Sequence, residues 1–151
     1  MGSLSLSGRG TGHLAAFPED VMEGLAVNGG YLAYAWLVLL QLSIVYLQRP
    51  DHYRRLGKGN AGVPEPYAVA TGLVGTGLNW VSWLLSAYVA KQFGIASGVL
   101  FFCVGMAAST AANVLIPRIA RVDRVGHFIS IPVTILLARA VLRESGIDTG
   151  F

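Results

Sequence analysis

Gln41 and Asn79 are the two residues whose surroundings most constrain what they do, because each is a side-chain amide near the middle of an apolar stretch. An unpaired amide in hydrocarbon costs several kcal/mol, so both must face protein or water. The sequence places them at the same depth, where they are expected to hydrogen-bond to each other, a contact worth about 0.6–2 kcal/mol inside a membrane. They then act as glue between helices. With Thr71, Thr76, Ser82 and Ser86 as accessories, they could instead line a substrate path or ligate a pigment.

Other chemistry-bearing residues are sparse. His13, His52 and His127 lack the i, i+3 or i+4 pairing that builds a metal or haem site. His127, at the start of the last apolar stretch, is the best candidate ligand among them. Cys103 stands alone, so there is no disulfide framework and no thiolate cluster, and it reads as a small apolar filler. The run Leu56-Gly57-Lys58-Gly59-Asn60-Ala61-Gly62 lacks the spacing of a phosphate-binding loop and reads as a linker. No nucleophile has a base at a useful spacing, and no acid or lysine lies well inside an apolar stretch. No catalytic residue and no metal ligand set is therefore assigned, and the chain reads as not an enzyme.

The elements that position these residues are membrane-spanning helices. With 54% hydrophobic and 13% charged residues and a mean hydropathy of +0.57, the chain reads as an all-α integral membrane protein of one domain. A hydrocarbon core about 30 Å thick takes roughly 20 apolar residues per helix. Four spans fit, at 30–48, 67–90, 93–116 and 125–142. Arg49 and Pro50 end the first. The second and third, interrupted only by Lys91, would make a single helix of about 75 Å at about 1.5 Å per residue, so the chain must reverse near Lys91–Gly94. The four spans are expected as two hairpins.

Two faces of small residues say how the spans pack. Ala68, Gly72, Gly75, Asn79, Ser82 and Ser86 recur at alternating spacings of three and four along the second span, and Gly94, Gly98, Phe101, Gly105, Ala108 and Ala112 form a similar stripe on the third. In lipid, such stripes let backbones approach closely. They are expected to face each other.

Charge orients the bundle. Arg49, Arg54, Arg55 and Lys58 fall in the first linker and Arg118, Arg121 and Arg124 in the last, whereas Arg9, Lys91, Arg139 and Arg143 lie on the other side. The positive-inside rule puts the linkers on the cytoplasmic or matrix side and both termini on the outer, periplasmic or lumenal side. Tyr31, Tyr34 and Tyr88 then fall at the outer level and Tyr46 and Tyr67 at the inner, as interfacial belts require, while Trp80 and Trp83 break the pattern near the middle. Arg118, Arg121 and Arg124 set topology and meet lipid head groups, and Arg139 and Arg143 snorkel to head groups at the outer end.

Residues 1–29 form a tail too polar for a signal peptide, with a short interfacial helix expected around Pro18–Glu23. Residues 143–151 form a C-terminal tail. Asn113, near the inner end of the third span, is expected to bond the neighbouring linker.

In length, in having four spans and in its basic first linker, the chain resembles the membrane-associated eicosanoid and glutathione transferases. Those proteins carry an Arg, Asn and Glu pattern at the start of the second helix, where this chain has Glu65, Tyr67 and Thr71. The resemblance implies a glutathione-transferase-like enzyme as an outside alternative, on topology alone. The primary expectation is a non-catalytic subunit that packs into a larger membrane complex, of the bacterial inner membrane or an organelle, with other membrane subunits and lipids as partners and with lipid or pigment at its seams. A hetero-complex is favoured over a homo-oligomer, and no nucleic-acid partner is implied. The competing expectation is a small oligomeric transporter or channel with its path around Asn79.

Overall fold

The proline at position 50, expected to end the first helix, lies inside it. Helix α1 spans Gly30–Arg55, α2 Glu65–Phe93, α3 Ile95–Ile119 and α4 Arg124–Glu144. A computed structural model describes residues 30–147 and residue 150. The expected N-terminal helix, His13 and the side chain of Tyr31 lie outside the described residues.

Helix α1 continues past Pro50 although an interior proline loses one backbone donor and crowds the carbonyl four residues back, and the next turn supplies compensation. Asp51 binds Arg54 and Arg55, three and four residues on, and His52, Arg54 and Arg55 set basic groups at the negative end of the helix dipole. Helix α2 starts on Pro64, Glu65 and Pro66, with an acid at its positive end and proline where no donor is needed. Helix α4 starts on Asp123, whose carboxylate accepts the backbone N–H of Gly126 at 2.8 Å.

A single residue joins α2 to α3. Gly94 has φ 94°, a left-handed geometry that favours glycine, and a Cβ built there would meet nothing within 4 Å. This corrects its expected place in the small-residue stripe: Gly94 makes the turn and packs against nothing, because the reversal occurs at the residue itself.

Each of the four helices is long and apolar enough to cross a membrane, and no strand is present among the described residues. They run up and down in sequence. One end of the bundle carries the linkers before α2 and α4, hereafter the linker end; the other carries the Gly94 turn. Of the consecutive pairs, α1 with α2 and α2 with α3 pack as antiparallel hairpins, and α3 with α4 does not. Helix α1 packs against all three others, α4 docks on α1, and α3 and α4 scarcely touch. The reason lies in which faces are apolar. Helix α1 buries Ala33, Leu37, Leu40 and Ile44 against Leu85 and Val89 of α2, Phe101 of α3 and Val141 of α4. A second cluster joins its Val45 to Ala112 and Ile116 of α3. Outward faces of the other helices are as apolar as this core, with Leu73, Leu84, Val99, Ile129, Ile135 and Leu136 all exposed. A helix apolar on every side belongs in an apolar medium.

Candidate functional site

From Gln48 onward α1 becomes polar, and its Gln48, Asp51, His52 and Arg55 recur at the helical spacing that gives them one face. Helix α2 receives that face with glycine. A Cβ at Gly72 would lie 2.8 Å from Asp51 Cβ and 2.9 Å from its Oδ2, and one at Gly75 would collide with Gln48. The amide of Gln48 donates to Thr76 Oγ1 at 3.2 Å, and Thr76 donates to the carbonyl of Gly72 at 2.9 Å. Asp51, 5% exposed, spends both oxygens on arginine. Oδ1 accepts from Arg54 Nε at 3.0 Å and Nη2 at 2.8 Å, and Oδ2 accepts from Arg55 Nε at 2.7 Å. Arg54 also reaches Glu65 at the start of α2, at 3.4 Å.

Arg49 completes the cluster on the α3 side. It is 8% exposed, donates from Nη2 to the carbonyl of Asn113 at 2.8 Å, and lies 5.8 Å from the centre of the Tyr53 ring. Its Nε is buried without a hydrogen-bond partner. Gln48, Arg49, Asp51 and Arg55 of α1, with Gly72 of α2 and Asn113 of α3, border a cavity of about 220 Å³ at the linker end.

The glycines are what let α1 and α2 close on this cluster. Gly72→Ala is expected to destabilise the protein by about 1–3 kcal/mol, since Asp51 would be met at its Cβ, which cannot swing away. Thermal unfolding of the purified protein measures it; a midpoint equal to wild type would show that α1 has room to shift.

A second polar seam ties α4 to α2 and α1. His127 is 0% exposed, with Nε2 3.2 Å from Thr71 Oγ1. Ser130 donates to the His127 carbonyl and Thr134 to that of Ser130, each at 2.6 Å, and the Thr134 hydroxyl meets that of Ser43 on α1. An edge-on contact between Tyr67 and Phe128, with ring centres 5.7 Å apart, closes the junction.

Other residues singled out from sequence fall as follows. Ala68, Gly72, Gly75, Ser82 and Ser86 are buried on α2, and Gly98, Phe101, Ala108 and Ala112 on α3. The two stripes do not face each other along their length, because α1 stands between them at the linker end. Gly98 meets Ala90 and Ser86 of α2, whereas Gly105 faces Leu37 of α1. The expected Gln41–Asn79 bond is absent: Gln41 is buried with its Oε1 unpartnered, and Asn79 is half-buried. The buried face of α2 also takes in Thr71, Leu85 and Val89, so its centre lies to one side of the small-residue ridge and leaves Asn79 at the edge.

Beside Asn79, the exposed Trp80 and Trp83 pack edge-on with ring centres 4.9 Å apart, and Phe102 of α3 continues the group at 5.9 Å from Trp83. Cys103 is exposed rather than an interior filler, since it falls on the outward side of α3. Arg118, Arg121, Arg124, Arg139 and Arg143 are all exposed, and the Arg121 carbonyl accepts from the Tyr46 hydroxyl at 3.3 Å. Asn113 does bond across to a neighbour, through its carbonyl to Arg49, while its amide turns back to the carbonyl of Ser109.

Sequence reasoning missed Gln48, Arg49 and Asp51 as site residues because a helix that stops at Arg49 and Pro50 leaves Asp51 in a linker and gives the three no shared face. The i+3 and i+4 arginines after Asp51 were the signal that the helix goes on. Among the described residues, no group of three or more His, Cys, Asp or Glu could hold a metal ion. The cluster is instead suited to electrostatic binding, with guanidinium groups held at fixed positions. No known protein family, curated protein or solved structure matches this chain. Function therefore rests on the geometry.

Proposed function

We propose that the chain is a non-catalytic, membrane-embedded subunit whose α2–α3 face packs against a transmembrane helix of a different subunit. The observation that carries this reading is Asn79. It lies midway along a helix long and apolar enough to cross a membrane, is half-buried, and makes no side-chain hydrogen bond among the described residues, with the exposed Trp80, Trp83 and Phe102 beside it. An amide left in lipid costs several kcal/mol. A partner helix carrying a polar group at that depth would remove the cost and cover the aromatic rings.

The linker end, rich in arginine, faces the cytoplasm or matrix in this reading, with both termini outside. An apolar furrow of about 580 Å³ between α3 and α4, floored by Leu39 and Leu42 of α1, suits an acyl chain or a pigment at the seam. The organism's bacterial inner membrane or an organellar membrane would be the setting.

The test is the mass of the intact particle extracted from native membrane in mild detergent, with mass spectrometry of its companions. A hetero-complex of fixed composition is expected; a monomer or homo-oligomer would overturn the proposal. Asn79→Leu is expected to lower the share of chain that co-purifies with the companion about 3- to 30-fold, the equivalent of about 0.6–2 kcal/mol. The isolated chain should be no less stable, since leucine costs nothing in lipid. Retained assembly with lost solute flux would instead indicate a transport path.

A further inference from the structure

Arg49 is a buried guanidinium with no acid paired to it among the described residues. Among the described residues its partners are a carbonyl, that of Asn113, and the face of Tyr53, and its Nε has none. The nearby carboxylate does not compensate it, because both oxygens of Asp51 are taken by Arg54 and Arg55. Removing a charge from water without a counter-charge is expensive. The group nevertheless borders a cavity of about 220 Å³, roughly seven times the share of liquid volume of one water, where a counter-charge could sit.

We propose that this cavity is a binding site for a phosphate-type oxyanion, held by Arg49, Arg55 and His52. The lining carries Arg49 and Arg55 against the single acid Asp51, with His52 as a further donor. Only Nε of Arg55 is committed to Asp51, which leaves its outer nitrogens free to turn on a ligand. Donors on three side chains match a tetrahedral anion better than a planar carboxylate, and guanidinium suits phosphate because its N–H groups can bond two oxygens at once. Exposed His52, Arg55, Thr76 and Asn113 form the rim. The anion can arrive as free phosphate or as the phosphomonoester head of a lipid; the chemistry of capture is the same. The site is built within one chain and does not depend on any partner subunit.

The test uses the full chain. In detergent, inorganic phosphate is titrated against chloride at constant ionic strength and thermal unfolding is followed. In nanodiscs, phosphatidylcholine alone is compared with phosphatidylcholine containing phosphatidic acid. A saturable rise in midpoint is expected in wild type. Arg55→Gln should raise the concentration needed about tenfold or more, by removal of charge-assisted hydrogen bonds, while Lys91→Gln, an exposed cation at the opposite end of the bundle, should leave it unchanged. Arg55 is exposed, and Arg54 still pairs with Asp51 when it is replaced, so Arg55→Gln carries the test even where an Arg49→Gln chain fails to fold. A response to free phosphate assigns a soluble ligand, and a response to phosphatidic acid alone assigns a lipid head group. No response to either, or equal responses of wild type and Arg55→Gln, overturns the site.

Discussion

A chain carrying Gly98→Val is expected to lose about 3 kcal/mol of stability and most of its monodisperse yield. A Cβ at position 98 would collide with Ala90 and lie 2.7 Å from the Ser86 carbonyl oxygen. Ala90 is met at its Cα and Cβ, and the oxygen is main chain, so no side chain can rotate away. Nor can the two helices separate at small cost, because only Gly94 joins them. The same helix supplies the control. At Gly105 a Cβ would find its nearest neighbour, Leu37 Cδ2, at 3.7 Å, an ordinary van der Waals contact. Gly105→Ala should therefore be neutral or raise stability by about 0.5–1 kcal/mol, as alanine in a helix interior does relative to glycine. Thermal unfolding of both variants decides it. If Gly98→Val unfolded at the wild-type midpoint, close approach of α2 and α3 at Gly98 would not be what holds the hairpin.

That contrast marks how far the sequence could be read. Four long apolar helices were legible because apolar length is a property of the chain alone, and the reversal near Gly94 followed from the same length argument. Which stripe meets which was not, since spacing reports the face of a helix and not its neighbour. Helix α1 carries no small-residue stripe; it reaches the glycines of α2 with Gln48 and Asp51 and thereby occupies the place that α3 was expected to fill. The polar cluster was hidden for a related reason. Arg49 and Arg55 look like linker charges when the helix is ended at Pro50, and become one side of a cleft only when the helix continues. Asn79 was conspicuous as a residue type, yet its orientation depended on the burial of Thr71, Leu85 and Val89, which shifts the packed face of α2 away from it.

His127 can be assigned a role by the order of stability among three substitutions. Thr71 has one hydroxyl hydrogen, and its oxygen lies 2.8 Å from the Tyr67 carbonyl, to which it donates. The imidazole must then donate from Nε2 to the Thr71 oxygen, which assigns the tautomer and leaves Nδ1 with a lone pair and, being buried, no partner. Leucine at this position would keep most of the volume and discard the unmatched lone pair, while Thr71 would keep its bond to Tyr67. Thr71→Val would instead strand the Nε2 hydrogen, at about 1–3 kcal/mol. Alanine at 127 would leave a cavity at a site with no exposed surface, costing about 2–4 kcal/mol. Thermal unfolding should therefore rank His127→Leu at or above wild type, Thr71→Val below it and His127→Ala lowest. If His127→Leu were as damaging as His127→Ala, volume would not be what the site needs. The hydrogen bond between Nε2 and Thr71 would then outweigh the unmatched lone pair.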